Sequence, residues 1–153
     1  MNVVNFPIDL KVIMDCEIVS SELEIGPCRH RVVHMQGDGS CLFHSLTYLM
    51  YEEIDFEVVS QVRTAIVRYV VDHWYELQLY TCADNGETYN DSDCYSRDML
   101  NSNTYGGTSK LMAAAAIYPF TFEVYQDNIL RGTFSHIGGP VKRLRLSGSQ
   151  NPI

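Results

Sequence analysis

The sequence predicts an α+β domain with its helices ahead of its strands. Two observations carry this. Apolar residues recur at helical spacing from Cys41 to about Leu79, and runs of alternating aromatic and β-branched residues follow from Phe120. A third bounds the size: 153 residues fit one domain around a single core.

Taken in order, residues 1–30 are weakly patterned and read as an N-terminal extension of unclear role. Ile8 to Met14 fits a strand or part of a helix equally well, and Gly26-Pro27 marks a break. Arg31 to Met35 is short and extended, and leads into Gly37-Asp38-Gly39-Ser40. From Cys41 the pattern turns helical, with Leu42, Leu46 and Leu49 at spacings of four and three. A second helix is expected from about Glu57 to Leu79, on the stripe Val58, Val62, Ala65, Ile66, Tyr69, Val70, His73, Trp74 and Leu77.

Residues 81–106 are polar and read as a long loop with one short helix near Ser96 to Asn101. Gly106-Gly107 is a hinge or tight turn; Thr108 or Ser109 then caps a third helix through Ala116, which Pro119 ends. Phe120 to Tyr125 and Ile129 to Phe134 read as a hairpin about Asp127-Asn128. Val141 to Leu146 reads as a further strand, with Arg143 and Arg145 on a solvated face.

Composition narrows the class. Apolar residues make up 46% and charged residues 20%, an ordinary globular balance. A net charge of −8 argues against a nucleic-acid surface, which needs a basic stripe. No run approaches the length of a membrane span, and no secretory signal opens the chain. The five cysteines, Cys16, Cys28, Cys41, Cys82 and Cys94, are odd in number and form no Cys-x-x-Cys pair. Neither a disulfide framework nor a structural zinc site is expected, and the reading is a cytoplasmic or other reducing compartment.

The chemistry lies at Gly37-Asp38-Gly39-Ser40-Cys41-Leu42-Phe43-His44-Ser45. A glycine-flanked loop runs into the first turn of an apolar helix, and a cysteine sits at the junction. Backbone N–H groups at a helix start lack acceptors within the helix and carry partial positive charge. They favour a thiolate and can hold the oxyanion formed when it attacks a carbonyl. Gly37 and Gly39 let the loop aim those groups at one point. By residue type alone Cys41 reads as core, Asp38-Gly39 as a turn and Asp38 as a helix cap. His44, three residues on, is too tied to the same turn to serve as the base. His30 and His34 read as surface or rim residues, and His73 as a hydrogen-bonded core histidine.

Together the residues resemble the OTU (ovarian tumour) family of cysteine proteases, in which Asp-Gly-x-Cys-Leu-Phe opens the nucleophile helix. The resemblance continues through Tyr105-Gly106-Gly107-Thr108-Ser109-Lys110-Leu111-Met112-Ala113-Ala114-Ala115 and the strand Phe122-Glu123-Val124-Tyr125, and covers roughly residues 31–153. It implies a papain-like fold with a small mixed sheet packed between helices. Cys41 would be the nucleophile and Asp38 would lie beside it. Backbone N–H groups of Asp38, Gly39, Ser40 and Cys41 would line the oxyanion hole. The implied reaction is hydrolysis after the C-terminal glycine of ubiquitin or a ubiquitin-like protein, through a thioester, with no metal or organic cofactor.

The resemblance also calls for a general-base histidine just after the strand 141–146, and no histidine follows His136. One reading, which we prefer, puts it beyond Ile153 in a longer parent chain, which would be viral, transposon-derived or cellular. A second uses His136 in its place, before the strand rather than after it. A third is an inactive OTU-like module that binds without cutting. A polyprotein-processing cysteine protease is a further alternative.

Overall fold

The apolar spacing after Cys41 does make a helix, and a helix buried on nearly every side. A computed structural model describes residues 9–15, 23–25, 28–34, 41–52, 55–81, 87–101, 108–126 and 129–147. Helix α1, Cys41–Tyr51, buries Cys41, Leu42, Phe43, Leu46 and Leu49 in the core. Thr47 turns its hydroxyl back on the carbonyl of Phe43 at 2.7 Å, so a polar side chain sits inside at little cost.

Helix α2, Phe56–Asp72, starts at an Asp55 cap whose carboxylate accepts from the N–H groups of Glu57 and Val58. The expected single helix to Leu79 is interrupted. At His73 the backbone leaves helical geometry, with φ −114° and ψ 35°, and the ring bonds the Tyr69 carbonyl through Nδ1 at 2.9 Å. The chain resumes as a single turn, α3 (Trp74–Leu77), and a 3-10 turn, Gln78–Tyr80. His73 is therefore half-buried at a helix break, stacked on Tyr69 with ring centroids 3.9 Å apart.

Helix α4, Ser92–Met99, begins four residues earlier than the sequence suggests, because Asp91 caps it through the Cys94 N–H at 2.8 Å. Helix α5, Thr108–Ile117, already contains Thr108 and Ser109, so neither is its cap. Both are buried in its first turn, and Ala113, Ala114 and Ala115 let it pack closely between α2 and the sheet.

Strands β1 (Asp9–Asp15), β2 (Leu23–Ile25), β3 (Cys28–His34), β4 (Thr121–Gln126), β5 (Ile129–Phe134) and β6 (Val141–Ser147) form one mixed sheet in the order β2-β3-β1-β6-β4-β5. The hairpin expected at 120–134 is present as β4 and β5, with an irregularity between Val124 and Tyr125. Strand β6 runs parallel to β4, with Val124 opposite Leu144. Strand β1 lies between β3 and β6, antiparallel to both. Of the stretch Ile8 to Met14, Asp9 to Met14 lie in a strand and Ile8 lies outside the described residues; β1, β2 and the start of β3 all come from the first 30 residues.

Phe122, Val124, Phe134 and Leu144 face the core beside the helices. Glu123 and Arg143 occupy the alternate positions, opposite each other, and form an ion pair at 3.0 Å. Arg143 is therefore not simply solvated. Both side chains are about one-fifth exposed, so the pair contributes about 1 kcal/mol or less. Arg145 is half-buried as well. Among the described residues no helix is long and apolar enough to cross a membrane.

The turn between β5 and β6 needs its two glycines. Gly138 has φ 74°, the left-handed region. A Cβ on Gly139 would lie 2.9 Å from the Pro119 carbonyl oxygen and 3.0 Å from the Phe120 Cα.

Candidate active site

Cys41 is the first residue of α1 and is 1% exposed. The first four N–H groups of the helix have no acceptor within it, and its first turn contains no acidic residue. A negative charge developing at the helix start is therefore favoured by the helix dipole, with no neighbouring carboxylate in that turn to oppose it. Leu42, Phe43 and Leu46, each fully buried, fix how the helix is rolled.

Phe43 is the floor for a buried cation. The Arg63 guanidinium of α2 lies 4.1 Å from its ring centroid and donates to the carbonyls of Met99 at 2.6 Å and Asn101 at 3.0 Å. Lys110 Nζ of α5 lies 4.9 Å from the ring centroid of Tyr95 on α4. His44, the neighbouring histidine on α1, meets the Phe56 ring edge-on at 6.0 Å.

His136 sits at the other end of the fold. Its Nδ1 lies 2.7 Å from the Ala115 carbonyl, near the C-terminus of α5. A carbonyl only accepts, so Nδ1 carries the proton and a neutral ring leaves Nε2 bare. The His136 backbone exchanges hydrogen bonds with the Thr121 hydroxyl at the start of β4. That region adjoins the C-terminus of α1. The Tyr118 phenol, one residue past α5, is pushed up by burial and by Tyr51, the last residue of α1. At 1.5 Å per residue, Tyr51 and Cys41 lie about 15 Å apart along the helix.

The sheet tells the same story. Strand β3 finishes at His34, opposite Lys11, which is opposite Arg145 near the end of β6. The chain thus leaves β3 toward Cys41 at the end of the sheet where β6 ends, whereas His136 lies just before β6 begins. His30 pairs in register with Asp15 and Leu23, further from that end. Asp38, Gly39 and Ser40 lie outside the described residues, as do Tyr105, Gly106 and Gly107. Among the described residues no three His, Cys, Asp or Glu side chains gather into a metal-binding group.

Arg63 is the residue that the sequence reading passed over. Its signal was available: it falls in step with Val59, Ile66, Val67 and Val70 on the buried face of α2, where a charge needs a reason. Lys110, 1% exposed, carries the same signal on α5.

A model of the OTU-like cysteine protease family matches residues 36–142, beginning at the loop before Cys41 and running into β6. Several solved structures share the fold. The OTU domain of OTUD1 gives a TM-score of 0.53 at 14% identity, covering 77% of this chain and 70% of that one. The viral OTU domain protease from Dera Ghazi Khan virus gives 0.51 at 16% identity, over 86% and 69%. The corresponding protease from Farallon virus gives 0.50 at 18% identity, over 88% and 76%. At these identities the likeness is one of fold. A comparison with curated proteins gives no match. With the family model spanning well over half of the sequence and Cys41 inside the match, the chain belongs to the OTU-like cysteine protease family.

Proposed function

We propose that the chain is a thiol hydrolase that cuts (iso)peptide bonds after the C-terminal glycine of ubiquitin or a ubiquitin-like protein, with Cys41 as nucleophile. The observation that carries this reading is the position of Cys41 at the N-terminus of a rigidly packed helix, inside the segment matched by the family. The Cys41 thiolate adds to the glycine carbonyl, and the carbonyl electrons move to oxygen. N–H groups of the helix start and of Asp38, Gly39 and Ser40 receive that oxyanion. Collapse breaks the C–N bond, the departing amine takes a proton from the base, and a thioester remains. Water then adds, the C–S bond breaks, and a glycine carboxylate and the thiol are released.

The base enters, on this reading, from the end of the sheet where β6 finishes, since β3 hands the chain to the nucleophile loop there. On this reading His136, whose Nδ1 lies 2.7 Å from the Ala115 carbonyl, is not the base. That same placement favours one second reading, an OTU-like module that binds its partner without cutting.

A ubiquitin C-terminal electrophile separates the two. It is offered to this chain, its Cys41→Ala variant and an extended form that carries whatever residues the parent gene encodes next. Adduct formation by the extended form, lost on Cys41→Ala, is the expected result. No adduct in any form, with binding of ubiquitin retained, supports the binding module. Adduct by the wild type and Cys41→Ala alike excludes Cys41 as the nucleophile.

A further inference from the structure

We propose that Arg63 is a positioning residue for the nucleophile, holding the first turn of α1 against the C-terminus of α4. The inference rests on the reading of Cys41 as nucleophile. Arg63 is 5% exposed, yet it ties its own helix, α2, to both α1 and the end of α4. Its guanidinium carbon lies 4.1 Å over the ring of Phe43, two residues from Cys41, and Nη1 donates to Met99 and Asn101. Those carbonyls end α4, where the helix dipole is negative and a cation is favoured.

The residue type matters. A guanidinium can stack with its face while it donates from its edge; an ammonium cannot do both in one plane. Filling an apolar stripe does not require it, because buried charges replaced by well-packed apolar side chains often leave stability unchanged. What Arg63 adds is orientation. Phe43 lies in the turn whose N–H groups face the reacting oxygen, and that turn cannot roll without displacing the ring from beneath the guanidinium. Oxyanion donors act only within tenths of an ångström of their working position. Asn101, the second acceptor, is also where the chain departs toward the Tyr105-Gly106-Gly107 stretch and α5.

The test uses the full chain in the form that reacts with the ubiquitin electrophile. Arg63→Met, Arg63→Lys and Phe43→Leu are compared with the wild type for folding, by circular dichroism and thermal melting. Hydrolysis of a fluorogenic ubiquitin C-terminal amide and site-resolved alkylation of Cys41 by iodoacetamide are then measured. Folded Arg63→Met is expected to lose about ten- to a hundredfold in kcat with KM nearly unchanged. Its Cys41 alkylation should slow at neutral pH but match the wild type at a pH where every thiol is ionised. Arg63→Lys should restore the neutral-pH alkylation in part and kcat hardly at all. Phe43→Leu should copy Arg63→Met without disturbing Met99 or Asn101, and it decides the matter if Arg63→Met does not fold. Folded variants with wild-type kcat and alkylation overturn the proposal. A wild type that turns over no ubiquitin substrate sinks the hydrolase reading instead, and alkylation alone then decides on Arg63.

Discussion

Cys41 and Cys94 both lie in the first turn of a helix, and their surroundings pull them apart. Cys41 is buried with no acid in its turn. Cys94 is exposed, and its thiol donates to the Asp91 carboxylate at 3.5 Å. That hydrogen bond, helped by the carboxylate charge, pushes the Cys94 thiol above its usual range. Exposure without ionisation makes Cys94 a sluggish nucleophile. Asp91→Asn keeps a capping oxygen and removes the charge, so Cys94 should alkylate several-fold faster near neutral pH. Site-resolved mass spectrometry reads this directly, and an unchanged rate would refute the assignment. The partner residue titrates in the opposite sense. The Cys94 N–H holds the Asp91 carboxyl below its ordinary value of 3.8. The cap is therefore fully effective above that pH and fades as acid protonates it, so the thermal-stability advantage over Asp91→Ala should vanish in acid. A constant advantage down to pH 2 would contradict it. The sequence reading made residues 81–106 a long polar loop with a short helix near Ser96 to Asn101. It could not see that Asp91 caps a helix and that Asp98 accepts the Tyr89 hydroxyl at 3.0 Å, because both roles depend on where α4 begins.

Helix boundaries were the least legible feature, for reasons visible in particular residues. Asn90, Asp91, Ser92 and Asp93 are all good caps, so the start of α4 was ambiguous until one of them closed on a backbone N–H. The stripe from Val58 to Leu77 reported which face is buried; it carried no information on whether the axis is continuous. At His73 the axis of α2 breaks, with the ring adding a second bond to the Tyr69 carbonyl, while Trp74 and Leu77 keep the same face inward. In the Gly138-Gly139-Pro140 turn the two glycines act differently. Gly139→Ala forces a Cβ into backbone that cannot swing aside and should cost about 1–3 kcal/mol. Gly138→Ala meets nothing within 4 Å and pays only for its left-handed backbone, about 1 kcal/mol. Urea unfolding of the two variants checks the order. Equal stability of Gly139→Ala and the wild type would show that β5 and β6 are not joined by this close turn.

At the scale of the molecule, local pattern found α1, α2, α5 and the three C-terminal strands. It missed the means by which the two ends of the chain are joined. Asp9–Asp15 alternates poorly, since Ile13 interrupts the series Leu10, Val12, Met14, and its assignment depends on partners more than 120 residues away. Such pairing leaves no trace in a local period. In the fold β1 is flanked on both sides, by β3 and by β6. Deleting residues 1–15 would strip one ladder from β6, across its register partners Arg143 to Ser147, and detach β3 from the sheet. Backbone groups that lose a ladder in a half-buried sheet are costly to leave unpaired. The deletion should therefore abolish a cooperative thermal transition, or lower its midpoint by more than about 10 °C for a domain of this size. Amide exchange at Arg143 and Arg145, slow in the full chain, should become fast in whatever folded state remains. A deletion variant that melts cooperatively at the wild-type midpoint, with those amides still protected, would show that β6 closes the sheet without β1, and that the N-terminal strands are an addition to the fold rather than part of its frame.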